Sequence, residues 1–524
     1  MSEKQLPRVT YSNIAEDFAP VHAHLDTLIP RVKAGLTRTV RPNVIGGRED
    51  SDGKEYVASS PIDRDVALGT FVEASPAAID RAIAAARAAA PAWHALGWRK
   101  RLEILGRAAE EIARRKYELS VVCLIEVGKS RMEAVGEIEE SIDLIRYYCG
   151  QMADHNGYAH EMRRAFPNER AEVVLRPHGV FAVISPFNFP VALSIGMMTG
   201  ALIGGNTVVF KPSPMAGLTG HLVFECLRAA GLPDGVVNIV CGGAAVGARL
   251  AGHPGIDGVA FTGSHAVGME IFRKAAQRPF AIPVLAEMGG KNAAYVTAKA
   301  DLATAASGVM RSAFGLQGQK CSSCSKVYVE DEVYDDFMGR LLALTAKIEI
   351  GNPEEQRVYM GPVINKAAAE RFAAAADSVR QQGAFAAGGE ILSGGLFDKG
   401  YYVQPSIAVD LPQDHALFRE EKFLPLLAVR RFRDLSAAIA DSNGGDYGLT
   451  AGIYTRDESE LALFLDRAEA GVLYANRASG ATTGAWPGIQ TFCGWKGSGL
   501  TGKGGLGPWY VPQFMREQSQ TVME

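Results

Sequence analysis

Residues 180–211 read VFAVISPFNFPVALSIGMMTGALIGGNTVVFK. Val180–Ser185 is a short β-branched run, Ala192–Leu202 has helical spacing, and Thr207–Lys211 is a second strand. The rhythm then repeats. A helix is expected over Gly217–Ala230, a strand over Val236–Val240, a helix over Ala244–Ala251, a strand over Gly258–Phe261 and a helix over Ala266–Ala276. Strands that alternate with helices through short turns form a parallel sheet covered on both faces. Such a sheet takes its ligands at the carboxyl ends of its strands.

The pattern extends in both directions. Upstream, Asp80–Ala95, Ala108–Arg115 and Met132–Met152 have helical spacing. The last of these is expected to turn Glu137, Glu139 and Glu140 to a solvated face. Beyond Gly289-Gly290 a second series begins. Ala293–Val296, Lys326–Glu330, Ile407–Asp410 and Leu426–Val429 read as strands, and Leu302–Phe314, Tyr334–Leu344 and Ala367–Gln381 as helices. Two α/β domains are therefore expected to meet near Gly289-Gly290. His160–Arg176 is polar and breaks the rhythm, as a hairpin leaving the domain would. The tail Tyr510–Met523 is placed to pair with it.

Composition narrows the function classes. The chain has 524 residues, 47% of them hydrophobic, and a net charge of −4. A chain of this length buries well over half of its unfolded surface and needs no disulfide or metal to fold. It has no basic stripe, which argues against nucleic-acid binding. Its seven cysteines are scattered and odd in number, unlike a secreted disulfide framework. The start, MSEKQLPRVTYSN, resembles neither a secretory signal nor a transit peptide. The longest apolar run, Val191–Gly205, is too short for a bilayer. These features suit a cytoplasmic protein.

Several short motifs carry chemistry. Residues 315–326, GLQGQKCSSCSK, hold Cys321 and Cys324. A structural zinc needs about four ligands, and no second CxxC exists, so no metal is expected. One nucleophilic cysteine is the economical reading, with Lys320 beside Cys321 as a source of positive potential. Asn188, in SPFNFP at a strand end, is either a loop residue or a donor to an oxyanion. Glu287, after the apolar Ile282–Ala286, is either a general base with a raised pKa or the partner of Lys291 in an ion pair. Lys211-Pro212-Ser213 follows a strand, where the lysine is a surface charge or a ligand to a ribose or phosphate. In Phe261-Thr262-Gly263-Ser264, Gly263 allows close approach and Ser264 can cap the next helix. The literal GxGxxG at Gly497–Gly502 has no strand before it or helix after it and reads as a loop.

PFNFP, KPS, FTGSHAVG, EMGGKN, GQKCS, EEKFLP and QTFCGWKGSG follow one another along nearly the whole chain. Together they resemble the aldehyde dehydrogenase superfamily. Within it, residues 126–148 (EVGKSRMEAVGEIEESIDLIRYY), 312–322 (SAFGLQGQKCS) and 483–492 (TGAWPGIQTF) are most similar to the L-glutamate-γ-semialdehyde (1-pyrroline-5-carboxylate) dehydrogenases.

The resemblance implies an α/β fold of two Rossmann-type parallel-sheet domains plus a small β oligomerisation arm. Residues 1–159 and 177–289 would bind NAD(P), 290–504 would carry the nucleophile, and 160–176 with 505–524 would form the arm and tail. Cys321 would attack the aldehyde. Asn188 and the Cys321 N–H would hold the oxyanion, and Glu287 would activate water to hydrolyse the thioester. Lys211 would contact the adenosine ribose, with Ser213 nearby. Gly263 and Ser264 would face the pyrophosphate. Ser185, Pro186, Phe187, Gly289, Glu421 and Phe423 would complete the cofactor site. Lys320, Ser322, Gly484, Ala485 and Phe492 would hold the substrate.

The implied reaction is NAD(P)-dependent oxidation of L-glutamate γ-semialdehyde to glutamate, in proline catabolism, by a homodimer or higher homo-oligomer. NAD is the expected cofactor. NADP stays open, because Pro214 stands where NAD-preferring relatives often carry an acid. ASGAT (478–482) looks like an insertion, with Ser479–Ala481 as a competing anchor. Cys324 is expected to be buried and inert. Two alternatives remain open at this point: another semialdehyde, such as that of succinate or aminoadipate, and a cofactor-independent thiol esterase.

Overall fold

Val180–Ile184, Thr207–Lys211 and Val237–Ile239 are buried on both faces, which is what a parallel strand under two helical layers requires. In the computed structural model, which describes residues 6–14, 16–36, 39–478 and 485–524, they lie within a seven-stranded sheet. Its order is Val284–Glu287, Gly258–Thr262, Val180–Ile184, Thr207–Lys211, Val237–Ile239, Asn43–Ile45, Arg48–Asp50. The first five strands are parallel, and the last two form an antiparallel edge.

A second seven-stranded sheet begins at Asn292. Its order is Ala384–Ala387, Ser406–Val409, Leu426–Phe432, Cys324–Glu330, Asn292–Val296, Thr450–Tyr454, Val472–Ala475, parallel except for the first. The two sheets meet through residues 288–291, which link Val284–Glu287 directly to Asn292–Val296. The carboxyl ends of the first sheet therefore face the segment that carries Cys321.

The polar hairpin forms a separate three-stranded antiparallel sheet. Met515–Met523 pairs with Glu169–Pro177 over nine residue pairs, and Ala159–Glu161 lies on the other side. Among the described residues, no helix is long and apolar enough to cross a membrane.

One expectation is overturned. Glu137, Glu139 and Glu140 do not face solvent; all three are buried on the helix Arg131–Asp154. Tyr11 of the N-terminal segment and the helices Lys116–Val127 and Ala192–Ile203 lie against this helix. Each carboxylate has found a partner. Glu137 pairs with Lys129 and accepts from the N–H groups of Val191 and Ala192. Glu139 pairs with Lys116, and Glu140 accepts from the Tyr11 hydroxyl. Buried charge is tolerated where it is paired and hydrogen-bonded, and helical spacing alone does not reveal such partners.

Candidate active site

The helix Leu302–Phe314 stops at Gly315, and the chain then takes three consecutive left-handed residues: Leu316 (φ 48°), Gln317 (φ 55°) and Gly318 (φ 65°). A left-handed non-glycine residue costs about 1–2 kcal/mol, so something must hold this turn. The two buried glutamines of GLQGQK do so. Gln317 Nε2 donates to the Gly128 carbonyl (3.2 Å), and Gln319 Nε2 donates to Gln317 Oε1 (3.2 Å). Gln319 Oε1 accepts from Ile364 N (3.0 Å). Gly318 is required because a methyl there would overlap the Leu424 carbonyl. Cys321 follows, its carbonyl fixed by Asn292 Nδ2 at 2.7 Å.

Asn188, in the loop after Val180–Ile184, is buried, and its Nδ2 donates to the Gln319 carbonyl at 3.0 Å. Glu287 ends the strand Val284–Glu287, opposite Thr262. Its Oε2 is buried with no hydrogen-bond partner. The ion pair with Lys291 is not formed; Lys291 Nζ donates to the Ser325 carbonyl at 3.4 Å. Glu287 and Cys321 line one cavity of about 100 Å³, with Ser322, Ala485 and Phe492 on its wall.

Burial pushes the Glu287 carboxyl well above the usual range. Burial, then the nearby Glu421 and Glu287 carboxylates, push the Cys321 thiol up to about 12. The thiol is thus protonated at rest, and an unpartnered carboxyl group, a base once ionised, shares its cavity. That is an arrangement for base-assisted nucleophilic attack.

Lys320 is not part of this cavity. It lies in a neighbouring cavity of about 270 Å³, with its Nζ near Gly315 and Glu133, and burial lowers its pKa. Gly484 and the competing anchor Ser479–Ala481 lie outside the described residues. Cys324 is buried, its Sγ directed to the Lys326 carbonyl at 3.4 Å.

Ser185, Lys211, Gly263 and Gly289 sit at or just beyond the carboxyl ends of four consecutive strands of the first sheet, the one before Gly289 being its edge. The Ser185 hydroxyl is buried without a partner. Ser264 occupies the N-cap of the helix His265–Ala276, but its side chain makes no capping bond, so the helix start is open. Lys211 Nζ donates to the carbonyls of Pro212 (3.0 Å) and Gly242 (2.8 Å), and burial brings its pKa down to about 8. Ser213 Oγ accepts from Met215 N at 3.2 Å. Across the cleft, Glu421 accepts from Gly290 N at 2.9 Å, and burial pushes its carboxyl up to about 7. Phe423, also left-handed (φ 58°), packs edge-on against Phe187 with ring centres 5.9 Å apart. Pro186 joins Ser185 to Phe187 in the same turn.

The loop Gly497–Gly502 opens no helix. It braces Glu287 instead: Gly499 bridges to the Glu287 backbone, and Met288 N donates to the Ser498 carbonyl at 2.8 Å. Among the cavity residues that sequence reasoning misses, two bear on its chemistry. Glu140 was assigned to the wrong face, and its carboxyl is pushed up to about 7 by burial. Tyr11 lies in an N-terminal stretch with no motif at all. Among the described residues, no group of three or more His, Cys, Asp or Glu side chains is arranged to hold a metal ion.

The profile of the aldehyde dehydrogenase family matches residues 48–519. The chain belongs to the aldehyde dehydrogenase family. It is an enzyme of that family, and its two-sheet α/β architecture is the family's.

This aldehyde dehydrogenase is 36% identical over 488 residues to a 1-pyrroline-5-carboxylate dehydrogenase of Bacillus cytotoxicus, covering 92% of this chain and 93% of that one. It is 36% identical over 502 residues to the enzyme of that name from Geobacillus kaustophilus, covering 95% of both. Among solved structures, a Thermus 1-pyrroline-5-carboxylate dehydrogenase with bound NAD superposes with a TM-score of 0.91 at 33% identity, covering 97% of each chain.

Proposed function

We propose that this aldehyde dehydrogenase oxidises L-glutamate γ-semialdehyde to L-glutamate with NAD, through a thiohemiacetal and then a thioester on Cys321. The observation that carries the reading is one cavity containing a half-buried thiol and an unpartnered carboxyl group, with the Asn188 amide anchored two residues before the thiol.

Glu287 takes the Cys321 proton, and the sulfur attacks the aldehyde carbon. The oxygen, now negative, is held by Asn188 Nδ2 and the Cys321 N–H; one such donor in a dry site is worth about 3 kcal/mol. NAD, when bound, supplies the hydride acceptor. Glu287 gives the first proton up to solvent and then takes one from water, which attacks the thioester carbonyl; the departing sulfur receives that proton, and the acid and the thiol are released.

The residues present fit a dinucleotide. The open helix start at Gly263-Ser264 suits a pyrophosphate, and the orphaned Ser185 hydroxyl lacks only a ligand. Lys211 and Ser213 would hold the adenosine ribose. Glu421, Phe423, Phe187, Pro186 and Gly289 would hold the nicotinamide half. Pro214 offers no acid against a 2′-phosphate, so NADP is the second candidate.

Residues 1–159 with 177–289 serve as the dinucleotide domain in this reading, and 290–504 as the nucleophile domain. Segments 160–176 and 505–524 would join copies into a homo-oligomer. All seven cysteines are free, in keeping with a cytoplasmic enzyme.

The substrate's α-ammonium has Glu140 to meet, and its α-carboxylate has Ser322 and the backbone at Ala485, with Phe492 along the aliphatic chain. The test is steady-state oxidation of a panel of semialdehydes with both cofactors. Glutamate γ-semialdehyde with NAD is expected to give the highest kcat/KM, and Cys321→Ser to abolish it. An equal or better value for succinate or aminoadipate semialdehyde would transfer the assignment to that substrate. Ester cleavage without any dinucleotide reduction would point to the thiol esterase.

A further inference from the structure

Two cavities flank the segment that carries Cys321, and among the described residues they share only Tyr11 and Phe189. The smaller, about 100 Å³, contains Cys321 and Glu287. The larger, about 270 Å³, contains Lys320, Arg311, Lys129 and Glu133. The rings of Tyr11 and Phe189 meet edge to face, 6.3 Å apart at 84°, the geometry aromatic pairs prefer. Together they make a partition.

Both halves of the partition are braced. The Lys129 ammonium sits 3.7 Å from the Phe189 ring centre, and its charge is balanced by the buried Glu137. Tyr11 packs edge-on against Trp486 at 5.5 Å and donates its hydroxyl to Glu140 at 2.8 Å. A side chain brought in by the N-terminal segment thus closes the aldehyde cavity from outside both α/β sheets. Behind it, the Lys320 side chain is nine-tenths buried and Arg311 half-buried; among the described residues neither side chain makes a hydrogen bond or ion pair, and Glu133 is the carboxylate that acts on Lys320. Two cations facing this second cavity are a ready site for a carboxylate that cannot reach it from the Cys321 side past the rings.

We propose that Tyr11 sets the chain-length limit of the substrate: its ring separates the Cys321 cavity from the cationic cavity of Lys320 and Arg311, and so keeps longer acidic aldehydes out. The inference rests on the Cys321 cavity being the aldehyde site. Shortening Tyr11 joins the two spaces and gives the far carboxylate of a longer ω-carboxy aldehyde two charged partners.

The experiment compares kcat/KM for azelaic semialdehyde with that for glutamate γ-semialdehyde in wild type, Tyr11→Ala and Tyr11→Phe, each checked for native circular dichroism. Tyr11→Ala is expected to raise the long-to-short ratio by about tenfold or more, the scale on which pocket shape discriminates. Tyr11→Phe keeps the wall and loses only the bond to Glu140, so its ratio should stay near that of wild type. A ratio unchanged in Tyr11→Ala, or raised equally in Tyr11→Phe, overturns the partition. If Tyr11→Ala does not fold, Tyr11→Leu carries the same comparison. A wild type inactive on both aldehydes would instead sink the aldehyde reading on which the inference stands.

Discussion

The Asn188 side-chain amide and the Gln319 backbone carbonyl are joined by a 3.0 Å hydrogen bond that ties the first sheet to the turn before Cys321. The amide has a second N–H left to offer. Asn188→Ala should therefore lower kcat by about 10²–10³-fold, the usual cost of losing an oxyanion donor. The KM for NAD should hardly move, because the lost interaction belongs to the transition state. Steady-state kinetics with NAD varied at saturating aldehyde would check this. A raised KM with unchanged kcat would make Asn188 a binding residue only.

Glu287 works as a base only when ionised, and burial has raised its pKa. The sign follows: kcat should climb with pH above the ordinary carboxylate range and level off once Glu287 is charged. Glu287→Gln should flatten that limb and cut turnover by about 10²–10⁴-fold. A pH–rate profile of both proteins decides the matter. A limb that survives in Glu287→Gln would belong to another group, with Glu421 the next to examine.

Glu140 is buried, and its carboxyl titrates near 7, against about 4.3 in the unfolded chain. The folded protein therefore holds a proton that the unfolded chain has released between these values. Its contribution to stability is full below about pH 4.3 and is lost as pH rises toward 7, on the order of 3 kcal/mol at most. Glu140→Gln should thus gain in Tm relative to wild type as pH rises from 5 to 7.5. Thermal melts across that window would show it, and a constant difference would mean that Glu140 has no such proton.

Gly289 lies against the Glu421 carboxylate, and a methyl there would overlap it. Gly289→Ala should push Glu421 aside and raise the KM for NAD about tenfold or more, by the argument that small displacements of positioning groups are costly. Alkylation of Cys321 by iodoacetamide without dinucleotide should proceed at the wild-type rate. Equal loss in both assays would place the damage at the thiol instead.

The strand–helix alternation from Val180 onward could be read from sequence because each strand is buried on both faces and so stands out as an apolar run. The helix Ala19–Gly35 could not, since it buries only the narrow stripe Val21, Leu25 and Ile29 before Pro30 interrupts the pattern. The helix Lys116–Val127 is buried all round, which erases the periodicity that would announce it. Around the cavity, Cys321, Glu287 and Asn188 were picked out by short motifs and lie on elements that converge. Lys320 was read from adjacency to Cys321, but its backbone neighbour shares no cavity with it. Tyr11 reaches the cavity through a tertiary contact more than 100 residues away in sequence, and no local pattern encodes that.

The strand Met515–Met523 completes a sheet begun at Glu169–Pro177, more than 300 residues earlier. A ribosome delivers the chain from its amino end. The hairpin must therefore wait through synthesis of more than 300 further residues with an open edge, a template for any other extended strand. This stitch is sewn only after translation has passed residue 523, and a nascent neighbour on the same messenger arrives with the identical thread.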